Sequence, residues 1–362
     1  MIKTIFPSKD ATLYQASESV NTGYDEILEI TKNISSSFGA IAVSRPVIQF
    51  DISTVSASLS AQGIHTGSAS GSLKYFLKVF ASEEKDVPAE YALSFHTLQG
   101  SWIMGSGRST HLPVTTNGIG WKYRDGSVGA TSWSSPGGTF LISGLGAIAE
   151  QTFANVSGDI EVDITSMVEN WNNGTRPNYG ILIKRSGSQE TNSTEYGSLC
   201  YYSKNTHTIY SPRIEARYDD ANHIITEEAG SVITLADEIT IEPRIQPTYK
   251  QGTVERLFVD VNKKFGARSQ AGTVGTIHTY FLPQSSSYAI IDNATGEYVY
   301  KHDQDATYVG RTGTAQNYFD FDTNGLFPDR YYGIEFKVNH YDGTNVIATR
   351  YYQPTVYFKV VK

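Results

Sequence analysis

Asp320-Phe321-Asp322-Thr323-Asn324-Gly325 spaces its oxygen-bearing side chains as the first half of an EF-hand calcium loop does. That loop closes its oxygen cage with a bidentate glutamate at position twelve, which here is Tyr331. The segment is therefore read as a β-turn in which Asn324-Gly325 supplies positive φ. Gly105-Ser106-Gly107-Arg108 is glycine-rich, but no Lys-Ser/Thr follows, so it reads as a tight loop and not as a phosphate cradle. The sequence has no Gly-x-Ser-x-Gly elbow; Gly67 to Gly71 comes near, with Ala69 at its centre. The eight histidines are scattered, and none has the spacing of metal ligands on one element. Asp159, Glu161 and Asp163 alternate along one strand face and are the most suggestive acids for glycoside cleavage. A solvated face ahead of a helix accounts for them equally well. No catalytic residue, metal or cofactor is expected, and the chain is read as not an enzyme.

Aromatic residues offer a different chemistry. Trp102, Trp121 and Trp133 stand in a Gly/Ser-rich stretch between Gln99 and Gly146, and Tyr201-Tyr202 follows later. Exposed aromatic faces stack on the apolar faces of sugars, so a groove lined by these tryptophans would bind glycan. Aromatic rings also fill cores and protein interfaces, where they bury large area and keep a polar handle. The tyrosines near the end of the chain, Tyr331, Tyr332, Tyr341, Tyr351 and Tyr352, are the candidates for a protein interface.

These residues must be positioned mostly by strands. Pro46–Ile52, Leu73–Phe80, Tyr179–Lys184, Ile214–Tyr218, Leu257–Val261, Thr276–Leu282, Glu297–Tyr300, Tyr332–Val338 and Thr355–Val361 are short and rich in β-branched or aromatic residues. Gly, Asn, Asp or Ser bounds them. Many short strands with such turns predict an all-β sandwich fold. One helix is expected where Ile164, Met167, Val168 and Trp171 share a helical face. Ser166 and Glu169 have capping-box spacing there, Asn172-Asn173-Gly174 supplies the stop, and Trp171 reads as a core plug. The polar segment 219–230 has no strand pattern and is read as a linker. It divides a β-sandwich over 1–218 from a second, smaller β-sandwich over 231–362.

The 29 Lys and Arg against 37 Asp and Glu give a net charge of −8, which disfavours a nucleic-acid partner. Only 18 % of residues are charged. No apolar run approaches the ~20 residues that span a bilayer, so no membrane partner is expected. The single Cys200 excludes an internal disulfide and multi-cysteine zinc motifs. The opening apolar stretch ends at Pro7, with Lys9 and Asp10 following, which is too short for a signal peptide. Folding in a cytoplasm is expected.

Ordered motifs over residues 1–218 resemble the DNRLRE-type β-sandwich module, which is close to one group of carbohydrate-binding modules. They begin with Ala11-Thr12-Leu13, Asn21-Thr22-Gly23, Glu26 and Leu28, followed by Arg45-Pro46-Val47-Ile48-Gln49-Phe50-Asp51. Trp102 with Gly105-Ser106-Gly107-Arg108, then Trp121 and Trp133, come next. The set closes on Val162-Asp163-Ile164-Thr165, Val168, Trp171, Asn178-Tyr179-Gly180-Ile181-Leu182-Ile183-Lys184 and Pro212-Arg213-Ile214-Glu215-Ala216-Arg217-Tyr218. The chain is more similar to the version found in tailed-bacteriophage virion structural proteins, on its opening residues, on Thr206–Pro212 and on its C-terminal strands.

The resemblance implies a jelly-roll or Ig-like sandwich and a non-enzymatic virion component of tail, neck or capsid, assembled in the host cytoplasm. Its partners would be other virion structural proteins, with the chain itself a homo-oligomer or present in many copies. It carries no catalytic residues over. Arg45 and Asp51 would pair across a strand, Asp163 would orient the helix, and Asn178-Tyr179-Gly180 would turn into a core strand. The alternative is a protein that binds a host glycan for adhesion or receptor recognition.

Overall fold

The computed structural model describes residues 1–34, 41–64, 73–154, 158–221, 231–265, 280–312, 316–342 and 345–362. The fold is all-β and divides into two compact units. The larger falls within Ile5–Thr66 and Lys74–Ala216; the smaller includes Met1–Thr4 and Arg217–Lys362.

In the larger unit the main sheet runs Ile148–Ala154, Glu90–Thr97, Ile181–Arg185, Ile41–Phe50, Ile27–Ile34, Gly197–Tyr202 and Ala81–Lys85. Pro7–Tyr14 is added beside Ile41–Phe50. A second sheet sets Lys74–Val79 between Arg213–Arg217 and Ile160–Asp163. Strands that read as apolar runs are buried throughout: every residue of Ile181–Arg185 is inside. Leu73, Tyr75, Leu77 and Val79 alternate inward, as their period of two requires.

Two α-helices are present among the described residues, both in this unit, where one was expected. Thr165–Asn172 buries Met167, Val168 and Trp171 as the periodicity predicts. Its start is not a capping box. Asp163 Oδ1 accepts from the Thr165 amide at 2.8 Å, and Ile164 holds the cap position without a side-chain bond. The second helix, Ser53–Ala61, has the sequence Ser-Thr-Val-Ser-Ala-Ser-Leu-Ser-Ala and buries only Leu59. It lacks the apolar stripe by which a helix is recognised in sequence.

In the smaller unit Ile239–Pro243, Val254–Lys263, Gln316–Asp322 and Gly310–Thr312 form a four-stranded sheet. A six-stranded sheet runs Thr248–Lys250, Tyr357–Val361, Tyr331–Tyr341, Ser287–Asp292 and Tyr298–Tyr300, with Val346–Tyr352 added beside Tyr331–Tyr341. Val259, Phe319 and Phe321 of the first sheet and Tyr288, Ile334 and Phe336 of the second share one core. Tyr288 stacks on Phe319 with ring centroids 4.0 Å apart. Ile2 joins this core, and Asn324 Nδ2 donates to the Thr4 carbonyl at 2.8 Å. Of the strand expected over Thr276–Leu282, Tyr280–Phe281 is present, and 276–279 lie outside the described residues. So do residues 222–230 of the expected linker.

Candidate functional site

The three tryptophans come together, but inside. Trp102 is 2 % exposed and Trp121 and Trp133 are 5 % exposed, in one cluster with Ala11, Leu13 and Leu182. Trp102 Nε1 donates to the Tyr179 carbonyl at 2.8 Å, and Trp133 Nε1 donates to the Gly120 carbonyl at 3.1 Å. Lys9 Nζ lies 4.4 Å from the Trp102 ring centroid, and the Arg45 guanidinium lies 4.9 Å from that of Trp121. Rings enclosed in this way offer no stacking platform, which corrects the expected glycan groove. Trp133 alone also borders a cleft of about 360 Å³, with Ser101, Arg124, Thr139 and Tyr179. Arg124 is tied down there, donating to the Ser101 carbonyl at 2.8 Å.

The motifs around the tryptophans hold each other. Asn21 is fully buried; its Nδ2 donates to the Met104 and Ile119 carbonyls at 2.7 and 2.9 Å, and its Oδ1 accepts from the Gly107 amide at 2.7 Å. A Cβ on Gly107 would stand 2.3 Å from the Asn21 carbonyl oxygen, so a side chain there would prevent this approach. Thr22 Oγ1 bonds both the amide and the carbonyl of Thr12 at 2.8 Å. Gly180, at φ 98°, lets the turn from Asn178 enter the core strand. Arg45 does not pair with Asp51. It grips Glu190 with Nε and Nη2 at 2.7 and 3.0 Å, while Asp51 Oδ1 accepts from Ser53. Glu190 is buried and also meets Lys184 at 3.0 Å, so the arginine answers a charge that has no water.

The C-terminal tyrosines divide. Tyr331 and Tyr351 are each 55 % exposed; Tyr332 is buried, and Tyr352 packs against the core. Adjacent strand residues point to opposite faces, so each Tyr-Tyr pair must split, a rule that the sequence already contained. The register places Lys337 opposite Tyr351 and Gly333 opposite Tyr357, on the face away from the core. Tyr357 and Tyr298 are exposed on that face, and Tyr341 is exposed at the strand end; the sequence reading had missed Tyr298 and Tyr357. A Cβ on Gly333 would lie 2.7 Å from Pro354 Cβ and 2.9 Å from Tyr357 Cε1, so glycine makes room for both rings.

Glu335 sits at the centre of this face, almost wholly buried. Its Oε1 accepts from Tyr298 Oη at 2.9 Å and from His302 Nε2 at 3.0 Å, and its Oε2 accepts from Gln353 Nε2. His302 Nδ1 then faces Ser287 Oγ at 3.0 Å. Burial, which outweighs the pull of Glu335, lowers the His302 pKa, so the ring is neutral at pH 7. With Nε2–H given to the carboxylate, Nδ1 accepts from the Ser287 hydroxyl. Serine, histidine and glutamate stand in the order of a nucleophile relay, but Ser287 is itself buried within the sheet. The arrangement satisfies a buried carboxylate and fixes the rings above it.

Among the described residues no three His, Cys, Asp or Glu side chains gather as a metal site. The expected turn at 320–325 is a 3₁₀ turn, Thr323–Gly325, capped by Asp322 Oδ1 accepting from the Asn324 amide at 2.8 Å. Positive φ is not its basis: neither Asn324 nor Gly325 adopts it. Gly325 is needed for space, because a Cβ would come within 2.4 Å of Thr4 Oγ1 and Tyr300 Oη. Among the described residues no helix is long and apolar enough to cross a membrane. No protein-family model and no curated protein matches the chain.

Proposed function

We propose that the chain is a non-enzymatic structural protein of a tailed-bacteriophage virion, making protein contacts through its sandwich domains. What supports the reading is the outer face of the six-stranded sheet. Four tyrosines stand exposed there, at 298, 331, 351 and 357, around a carboxylate whose oxygens are already hydrogen-bonded from within. Tyrosine gives large, rigid contact area at small entropic cost and is enriched where proteins meet. Beside that face, Val346–Tyr352 pairs with Tyr331–Tyr341 alone among the described residues, and Val346 and Ile347 are exposed. A strand paired on one side only among the described residues suits addition of a neighbouring chain.

Light scattering of the purified chain, together with mass spectrometry of purified particles, tests this reading. A multi-copy assembly that is lost when Tyr331, Tyr351 and Tyr357 are all changed to serine is expected. A strict monomer that is missing from particles would overturn the proposal.

A further inference from the structure

In the larger unit a lysine stands where the strand period calls for an apolar residue. Ile27–Ile34 turns Leu28, Ile30 and Lys32 inward, and Lys32 is fully buried. Burying an ammonium is costly unless a counter-charge goes in with it. Among the described residues Lys32 Nζ meets three oxygens and no carboxylate. It donates to the Gln189 carbonyl at 2.8 Å, the Asn192 carbonyl at 2.7 Å and Asn192 Oδ1 at 2.5 Å. Glu190 lies between those two residues in sequence, but Arg45 and Lys184 already hold its carboxylate. The Tyr196 ring closes another side, its centroid 5.0 Å from Nζ. Burial and the charge of Arg185 lower the Lys32 pKa against the pull of Glu190, which favours the neutral amine.

A neutral amine has two hydrogens and one lone pair. The two backbone carbonyls take the hydrogens, and the lone pair is left to the Asn192 carboxamide. That carboxamide is fixed and polarised. Its Oδ1 also accepts from the Thr194 amide at 3.1 Å, and the Asn192 amide donates to the Ser188 carbonyl at 2.8 Å. Gln189 anchors the same turn, its Oε1 accepting from the Ala92 amide at 2.9 Å. An N–H on the carboxamide oxygen stabilises the negative charge that develops there when its carbon is attacked. Holding amine and amide in contact makes that attack intramolecular. Asn192 is only half-buried, so a small leaving group has a way out.

We propose that Lys32 and Asn192 join in an intramolecular isopeptide bond. Nζ attacks Cγ; the Nζ–Cγ bond forms and the Cγ–Nδ2 bond breaks. Nδ2 leaves with its own two hydrogens and two protons from the Lys32 ammonium, as an ammonium ion. The step consumes no oxidant or co-reactant, and it removes the buried charge. The bond ties strand Ile27–Ile34 to the turn ahead of Gly197–Tyr202, across 160 residues of chain. A crosslink over so long a span restricts the unfolded chain strongly. Both residues belong to the larger unit, so the bond and the assembly reading fail independently.

The test is the intact mass of the purified full chain, followed by mass spectrometry of a protease digest. A chain lighter than its sequence by one ammonia is expected, with a branched peptide joining Lys32 to Asn192. In denaturing electrophoresis the looped wild-type chain is expected to run ahead of Asn192→Ala. Asn192→Ala and Lys32→Met are each expected to have the full mass of their own sequences, and circular dichroism confirms that they are folded. Closure of Asn192 on the Ser193 amide also releases ammonia, but it leaves no branched peptide and persists in Lys32→Met. The wild-type digest decides the matter even where a variant fails to fold. The proposal is overturned if the folded wild-type chain keeps its full mass after prolonged incubation, if the loss of ammonia survives in Lys32→Met, or if the digest holds no branched peptide.

Discussion

The two units use their aromatic residues in opposite ways. In the larger unit the tryptophans at 102, 121 and 133 are inside, and two of them are bonded to backbone carbonyls. In the smaller unit the tyrosines at 298, 331, 351 and 357 stand on the outer face of a sheet whose inner face is already full. The tryptophans lie in a long, glycine-rich connection that supplies little apolar side chain of its own. Each indole has to act as its core. The tyrosines lie in regular strands, where alternation alone assigns every second ring to solvent. A ring's neighbours, and not its type, decide whether it holds the fold or is free to meet something else.

That contrast can be broken from either side, and the largest effect is expected in the larger unit. Trp102→Ala should destabilise it by about 3–5 kcal/mol, read from chemical denaturation, because it leaves a cavity and an unmatched Tyr179 carbonyl. Asn21→Ala should cost about 2–4 kcal/mol, since three backbone groups, two of them in buried bonds, lose their partner together. If either variant kept wild-type stability, the glycine-rich connection would not be a core element.

Asp10 gives a prediction with a definite sign. Burial pushes its pKa from 3.8 up to about 7, against the Lys204 amide that donates to Oδ2 at 2.6 Å. Its neutral form is favoured in the fold, so its stabilising contribution is full below pH 3.8. That contribution is lost as pH rises through about 7, where the unfolded chain has already released the proton. Asp10→Asn should therefore gain on the order of 1–3 kcal/mol at pH 8 relative to wild type, and little at pH 4. Denaturation at the two pH values measures the difference, and an equal effect at both would contradict the assignment.

The smallest effect on stability is expected outside. Tyr351→Ser should shift unfolding by no more than about 0.5 kcal/mol, because its ring is exposed. Its effect should appear in assembly, as a loss of the multi-copy species in light scattering. A large loss of stability would instead place Tyr351 with the tryptophans.

Much of this was legible in the sequence, for reasons that differ by element. Ile181-Leu182-Ile183 and the alternating Leu73 to Val79 marked strands because burial in a sheet demands apolar residues at those positions. Met167, Val168 and Trp171 marked a helix for the same reason. Ser53–Ala61 left no mark, because it buries one side chain and its serines face a cleft. The partners of buried charges were also invisible. Arg45 finds Glu190, which is 145 residues away, and no local pattern encodes that choice. Glu335 and its ring of donors escaped notice because the donors come from separate strands and loops. The tyrosine pairs are visible, but composition treats both members alike; only the strand period separates Tyr331 from Tyr332 and Tyr351 from Tyr352.

The place of Ile2 and Thr4 in the smaller unit has a consequence for synthesis. Asn324, whose amide holds the Thr4 carbonyl, leaves the ribosome 320 residues after it. The strip pairs with Arg213–Arg217 and meets Asn324 only after about a hundred further residues have been made. That contact of the smaller unit therefore cannot form until Asn324 has been made. An excised 231–362 fragment would have an open seam at Tyr300 and Gly325, which a peptide spanning residues 1–6 should close.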